Sequence, residues 1–293
     1  MRSAVTLDVD GVRHYHAIHG LPPPTGPDPI WSVGVPRFLE LCDALGVRAT
    51  LFVVTADLSA DLSADFSAAR AQALLQQAHA GGHELASHSH EHRYDLSALP
   101  AQLIEDDLRR SMEALRALTG DSPRGFRAPG YNLSPALLDA IRQVGFEYDS
   151  SVMRAPAYWA LRAAARARLA ARGRPSASLA GSLRQFLPGY APPGLRELPI
   201  STALGAPWLG TTLGLLPRPL GALCTALARA TPRQGPLVLE LHAIDLCDAT
   251  DGFSPALVEA QPDLRVPLVA KRARLAAALR VLAPGARPLA EWC

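Results

Sequence analysis

The chain predicts an α/β protein built on a parallel sheet, either open or closed into a barrel. Strand-like and helix-like segments alternate along most of its 293 residues, which argues for parallel strands joined by helical crossovers. The polar candidates Asp8, Asp10, His88, Arg127, Asp149 and His242 all fall at or just after predicted strand ends, and in barrels that face carries the active site. The length is enough for one large α/β domain or two smaller ones. We expect a single domain over residues 1–293, with embellishments at about 154–190 and 202–230.

Taken in order, Ala4 to Val9 reads as a buried strand, Val35 to Leu45 as a helix closed by Gly46, and Ala49 to Val54 as a second strand. Ser67 to Ala80 is helical and stops at Gly81-Gly82, a C-terminal signal because glycine accepts the left-handed conformation that ends many helices. His83 to Ser87 is a short strand, and Leu103 to Leu118 a strongly patterned helix ended by Gly120. Gly125 to Ala128 is strand-like, Ser134 caps a helix running to Val144, and Glu147 to Ser150 is strand again. Leu195 to Ile200 and Pro236 to His242 supply later strands, and Val269 to Leu282 is the final helix.

A net charge of +2 with 19% charged residues points to no dedicated nucleic-acid surface. Cys42, Cys224, Cys247 and Cys293 are scattered without a CxxC pair, which suits a reducing compartment and structural or incidental roles. Met1-Arg2-Ser3 runs almost directly into the first motif, leaving no room for a signal peptide, and no long charge-free apolar run follows. The expectation is a cytoplasmic protein.

Two strings carry the chemistry. Thr6-Leu7-Asp8-Val9-Asp10-Gly11 puts two carboxylates at a strand end, pointing the same way because side chains alternate along a strand. His88-Ser89-His90-Glu91-His92 offers two imidazoles four residues apart, on one side if that stretch is helical. One carboxylate with two imidazoles leaves a coordination position open for water, as catalytic metal sites need. The spare carboxylate can then take a proton from that water. Three weaker strings follow: Phe126-Arg127-Ala128-Pro129-Gly130-Tyr131, Tyr148-Asp149-Ser150-Ser151 and Glu240-Leu241-His242-Ala243-Ile244-Asp245. Every other histidine lies at or before His92, so His242 is the only one available from the C-terminal two thirds.

With counterparts of five motifs in order from Thr6 to Asp245, the chain resembles the NodB-type polysaccharide deacetylases, metal-dependent amide hydrolases. Asp-Val-Asp in place of adjacent aspartates is similar to the branch with cytoplasmic peptidoglycan-deacetylase-like proteins, allantoinase-like proteins and lipid-linked aminoarabinose deformylases. The resemblance implies an irregular (β/α) barrel of about seven strands. It implies that Asp10, His88 and His92 hold a divalent metal, most readily Zn2+, and that Asp8 is the general base, held charged by Arg127. By the same resemblance Asp149 orients His242, the general acid, and the metal with a backbone N–H near Gly130 or Tyr131 holds the oxyanion. Three departures stand out. The family's Leu-x-His is Glu240-Leu241-His242 here, an extra Gly130 separates Pro129 from Tyr131, and the tryptophan that follows the fourth motif is shifted to Trp159.

Each residue alone has an ordinary explanation. Asp8 and Asp10 could cap a helix from a loop, Arg127 could pair at the surface, Asp149 could sit in a turn, and His242 could be a satisfied buried histidine. Their joint order favours the hydrolase. His90 points away from its neighbours in either geometry and is left out of the ligand set, and Glu91 is read as solvated or supporting the ligands. His14, His16 and His19 read as a loop with incidental imidazoles, or else as a loop that contacts substrate over the metal. Arg154 to Arg184 reads as a solvated helix, although Arg162, Arg166, Arg168, Arg172 and Arg174 also fit a basic face for phosphates or an anionic membrane. Thr202 to Ala230 is apolar but broken by Gly and Pro, and reads as extra packing or as a patch for a lipid tail.

The sequence thus leads to an N-acyl amino-sugar deacetylase, with a free or lipid-linked substrate and a peripheral contact to the inner membrane face as a further expectation. The alternatives are an allantoinase-like hydrolase of small amides or ureides, and a non-catalytic barrel that binds carbohydrate or lipid. The residues leave oligomeric state open.

Overall fold

The computed structural model describes residues 1–59, 68–171, 185–186, 190 and 193–293. Seven parallel strands make the central sheet: β1 (Ser3–Val9), β2 (Thr50–Val53), β3 (Glu84–Ser87), β4 (Gly125–Phe126), β5 (Tyr148–Asp149), β6 (Arg196–Glu197) and, after a β7–β8 hairpin (Thr202–Ala203 and Ala206–Pro207), β9 (Leu237–His242). Their order is β6-β5-β4-β3-β2-β1-β9. The sheet curls until its edges meet: beyond β6, Ser201 N–H donates to Val238 O on β9 at 3.1 Å, and Ser201 Oγ accepts from Val238 N–H at 2.9 Å. The expected (β/α) barrel of about seven strands is therefore present, with the β6/β9 seam joined by these irregular bonds.

Strand alternation sorts the side chains into two layers. Val5, Leu7 and Val9 of β1 face outward, in one cluster with Leu51 and Val53 of β2 and Leu239 and Leu241 of β9. Against them pack α2 (Val35–Leu45) and α10 (Leu268–Leu282). Around the barrel, α4 (Ala101–Thr119) and α5 (Pro135–Val144) cover Phe126 and Ala128. Burial on both faces is why these strands read as near-continuous apolar runs. Inside, Ala4, Phe52, Ala86, Tyr148 and Val238 form an apolar floor, which Leu289 closes from below. Gly125 is needed there, because a Cβ would lie 2.0 Å from the Tyr148 ring. The buried Arg127 guanidinium rests on the Phe52 ring, 4.0 Å from its centroid, and carries the barrel interior from apolar floor to polar mouth.

Helix ends follow the expected chemistry. Ser134 Oγ accepts from Leu137 N–H at the start of α5, and Gly46 ends α2 in the left-handed region at φ 62°. The residues between β1 and α2 depart from expectation: His14, His16 and His19 lie on α1 (Val12–His19), not in a loop. Two partly buried aspartates hold that short helix, Asp28 accepting from Val12 N–H and Asp57 from Gly11 N–H. The Thr202 to Ala230 stretch folds into the β7–β8 hairpin, α7 (Gly210–Leu215) and α8 (Arg218–Ala230). Of the arginine-rich stretch, α6 (Pro156–Ala171) is described, but Arg172 and Arg174 and the side chains of Arg166 and Arg168 lie outside the described residues. No described helix is long and apolar enough to cross a membrane.

Candidate active site

At the C-terminal ends of the strands, Asp8, Asp10, His88, His92, Arg127 and His242 converge. β1 and β9 pair with Thr6 opposite Glu240 and Asp8 opposite His242, so all four of these side chains project into the barrel. His88 follows β3. The return to His92 is made not by a helix but by a bent loop, with Ser89 at φ 69° and His92 at φ 53°. Such backbone is costly for non-glycine residues and persists only where the surroundings enforce it. Here Asp107 on α4 accepts from His90 and Glu91 N–H at 2.9 and 3.0 Å, and Ser89 Oγ accepts from His92 N–H. Asp107 had no signal in the sequence.

Asp10 Oδ1 lies 3.4 Å from Nε2 of both His88 and His92. His88 Nδ1–H donates to Arg127 O at 2.8 Å, which leaves the Nε2 lone pair turned toward Asp10. Asp10 Oδ1 and His92 Nε2 are buried without a hydrogen-bond partner among the described residues. Buried polar atoms left unpaired are costly. The three ligand atoms lie within 4.8 Å of one another, so a divalent cation between them would satisfy all three. Burial and the neighbouring His14 and His88 push the His92 imidazole well below its ordinary pKa, into the neutral form that ligates metals. The donor set thus fits the expected ion.

Beside this trio, Asp8 Oδ1 accepts from Arg127 Nη1 at 2.5 Å, while Asp8 Oδ2 is free of hydrogen bonds and 3.7 Å from His88 Nε2. Burial alone would raise the Asp8 pKa, but Arg127 and the nearby imidazoles overcome it and hold the carboxyl below its usual range. Arg127 itself is pinned by Ser150 O, Ser150 Oγ and Thr6 Oγ1. His242 is the most open of the group: its side chain is 22% exposed, with Nε2 3.9 Å from Asp10 Oδ2. Burial acts to lower its pKa, yet Glu240, Asp8 and Asp10 together push it up to about 9.

Two expected contacts are not made. Asp149 does not reach His242. Tyr148 joins the barrel floor and Ser150 bonds Arg127 inside the barrel, so alternation turns Asp149 to the outer face. There it accepts from Ser151 Oγ and lies beside Glu197, its neighbour across β5 and β6. Nδ1 of His242 instead faces Glu240 Oε1 at 3.3 Å. Nor is the Tyr131 amide available to an oxyanion, since it donates to Ala128 O at 2.9 Å, leaving Gly130 N–H as the remaining backbone candidate. Tyr131 Oη donates to Glu240 Oε1 at 2.7 Å.

The extra Gly130 has a steric reason: at φ 56°, its Cβ would stand 2.5 Å from the Tyr94 ring. Its carbonyl accepts from Arg162, which is ringed by Tyr94, Tyr158 and Trp159 rather than turned to solvent as a basic face. Trp159 is buried and donates to Met153 O. His90 bonds Thr55 and lies near Glu91, outside the ligand set as expected. His14, read as incidental, packs its ring 4.4 Å from that of His92 and bonds Asp57.

A parallel barrel with buried carboxylates and imidazoles gathered at the C-terminal strand ends is the layout of a barrel hydrolase. Residues 25–148 match the family described as polysaccharide deacetylase. Over 156 residues the chain is 29% identical to the peptidoglycan deacetylase of Helicobacter pylori, covering 51% of this chain and 49% of that protein. The chain thus spans about half the length of that curated relative. In fold it is similar to a polysaccharide deacetylase homologue from Mycobacterium smegmatis, with a TM-score of 0.56 at 20% identity over 99% of this chain and 87% of the other. It is also similar to Puue allantoinase, with a TM-score of 0.54 at 15% identity over 95% and 84%. Residues 25–148 thus carry a polysaccharide deacetylase match, set in a barrel of the same fold.

Proposed function

We propose that the protein is a metal-dependent hydrolase that removes an N-acetyl or other small N-acyl group from an amino sugar. The observation that carries this reading is the Asp8–Arg127 ion pair set beside Asp10 Oδ1 and His92 Nε2, both buried and unpaired among the described residues, with the His88 imidazole completing the trio. Asp10, His88 and His92 would hold the ion. When bound, a divalent cation, with Zn2+ the best match to one carboxylate and two imidazoles, polarises the acyl carbonyl and acidifies water. Asp8, kept ionised by Arg127, takes the proton of the attacking water at Oδ2, the oxygen that Arg127 leaves free. His242, at the open side of the cluster, gives its Nε2 proton to the departing nitrogen. Gly130 N–H is the backbone donor that would meet the oxyanion.

The Helicobacter pylori relative, a peptidoglycan deacetylase, favours an acetylated glycan as substrate. A lipid-linked or glycolipid form of that sugar, met at the inner membrane face by a cytoplasmic enzyme, is the narrower proposal. Leu215, Leu220 and Leu223, large apolar side chains left exposed on α7 and α8, support it.

The test is metal content together with acid and amine release on N-acetyl and N-formyl sugars, free and lipid-linked, with a ureide included. The expected result is about one divalent ion per chain and acetate or formate released from one sugar. Efficient turnover of soluble sugars with none on lipid-linked ones overturns the carrier proposal. A ureido product moves the reading to an allantoinase-like enzyme, and no metal with no turnover moves it to a binding barrel.

A further inference from the structure

We infer that Glu240, anchored by the Tyr131 hydroxyl, is the positioning residue of His242, in the place where Asp149 was expected. The inference rests on the hydrolase reading above and assigns a role to a residue at which this chain departs from the family it resembles. Glu240 and His242 are two residues apart on β9, so strand alternation turns both into the barrel. Glu240 is fully buried; its Oε1 accepts from Tyr131 Oη at 2.7 Å and lies at an ion-pair distance of 3.3 Å from His242 Nδ1. Tyr131 is itself enclosed, its ring against Tyr158, in the cluster that holds Trp159 and Met153. The carboxylate therefore cannot swing away from His242 without burying an unpaired charge.

A carboxylate at Nδ1 does two things for a histidine that donates from Nε2. It keeps Nδ1 protonated, fixing the tautomer so that Nε2 is the nitrogen that exchanges a proton, and it fixes the ring plane. In this barrel the ring so held presents Nε2 toward Asp10 and the mouth. Asp149 cannot substitute, because the wall of β5 stands between it and the interior.

The experiment pairs kinetics with 15N imidazole shifts of His242 in the metal-loaded protein, in Glu240→Ala, Glu240→Gln, Tyr131→Phe and Asp149→Asn. Glu240→Ala is expected to lower kcat on the order of 100-fold at unchanged KM and metal content, with His242 losing its Nδ1–H tautomer. Glu240→Gln keeps an acceptor oxygen and should retain the tautomer with a loss of about 10-fold, and Tyr131→Phe should lie between Gln and wild type. Asp149→Asn should change neither readout. The inference is overturned if Glu240→Ala, or Glu240→Gln and Tyr131→Phe where the alanine variant does not fold, keeps both kcat and the wild-type shifts. It is also overturned if Asp149→Asn takes the loss instead. A wild-type protein inactive on every amide overturns the hydrolase reading alone, since the His242 shifts still report whether Glu240 sets the tautomer.

Discussion

Two buried carboxylate pairs in this barrel differ in the face of the sheet they occupy, and that difference separates chemistry from structure. Asp8 and Glu240 lie on adjacent strands inside the barrel, each bonded to a donor, Arg127 and Tyr131, and each near an imidazole. Asp149 and Glu197 also lie on adjacent strands, Asp149 fully buried and Glu197 partly so, but they face outward. Burial and then Asp149 push Glu197 well above the ordinary carboxylate range, with Arg154 opposing only weakly, so the outer pair favours the protonated form. Burial, charge and strand-end position are common to both pairs. Among the described residues, only the inner one faces imidazoles.

The sharpest break between the two regions should come from His88→Ala. It is expected to lose the bound metal and with it all measurable turnover, which metal analysis of the purified variant checks. Asp8→Asn should follow, lowering kcat about 1,000-fold or more with metal retained, as expected when a general base is removed. An Asp8→Asn protein near wild-type rate would show that the inner carboxylate is structural, like the outer.

The pH profile sharpens the same contrast. A base that must be ionised and an acid that must be protonated give a plateau bounded by their two pKa values. Asp8 is held below the usual carboxylate range, so kcat should stay level as the pH falls toward about 4. His242 is pushed up to about 9, so kcat should fall as the pH rises through that value. An alkaline limb near the ordinary histidine value of about 6.5 would remove His242 from the acid role.

The smallest effect belongs to the outer pair. Asp149→Asn should leave kcat within about 3-fold of wild type and act instead on the pH dependence of stability. Both carboxyls have raised pKa values in the folded state, so folding retains a proton that the unfolded chain gives up. Their contribution is full below the unfolded values and is lost as the pH rises through the folded ones. Stability to urea should therefore weaken as the pH rises above the ordinary carboxylate range of about 4, and the slope should flatten in Asp149→Asn.

The contrast also explains what could be read in advance. Elements with long apolar runs and glycine or serine punctuation were legible: Val35 to Leu45 is α2, and Ser134 caps α5 as expected. The inner pairs that sit two residues apart, Asp8 with Asp10 and Glu240 with His242, are both open to the alternation argument. β5 spans Tyr148–Asp149, too short a run for its alternation to reveal which face Asp149 takes. The three early histidines were misplaced in a loop because the aspartates that hold α1, Asp28 and Asp57, lie beyond the helix itself.

By itself the sequence determined the alternation of strands and helices, the convergence of polar groups at strand ends, and the carboxylate and imidazole composition of the ligand set, because these follow from local periodicity and residue chemistry. The tertiary structure decided which carboxylate meets His242, that Tyr131 holds Glu240 from 109 positions away, that Arg127 reaches Asp8 across 119, and that His14 packs on His92. The physical reason is closure of the barrel. Side chains distant along the chain become neighbours only once the strands are set in register and their inward faces share one enclosed volume.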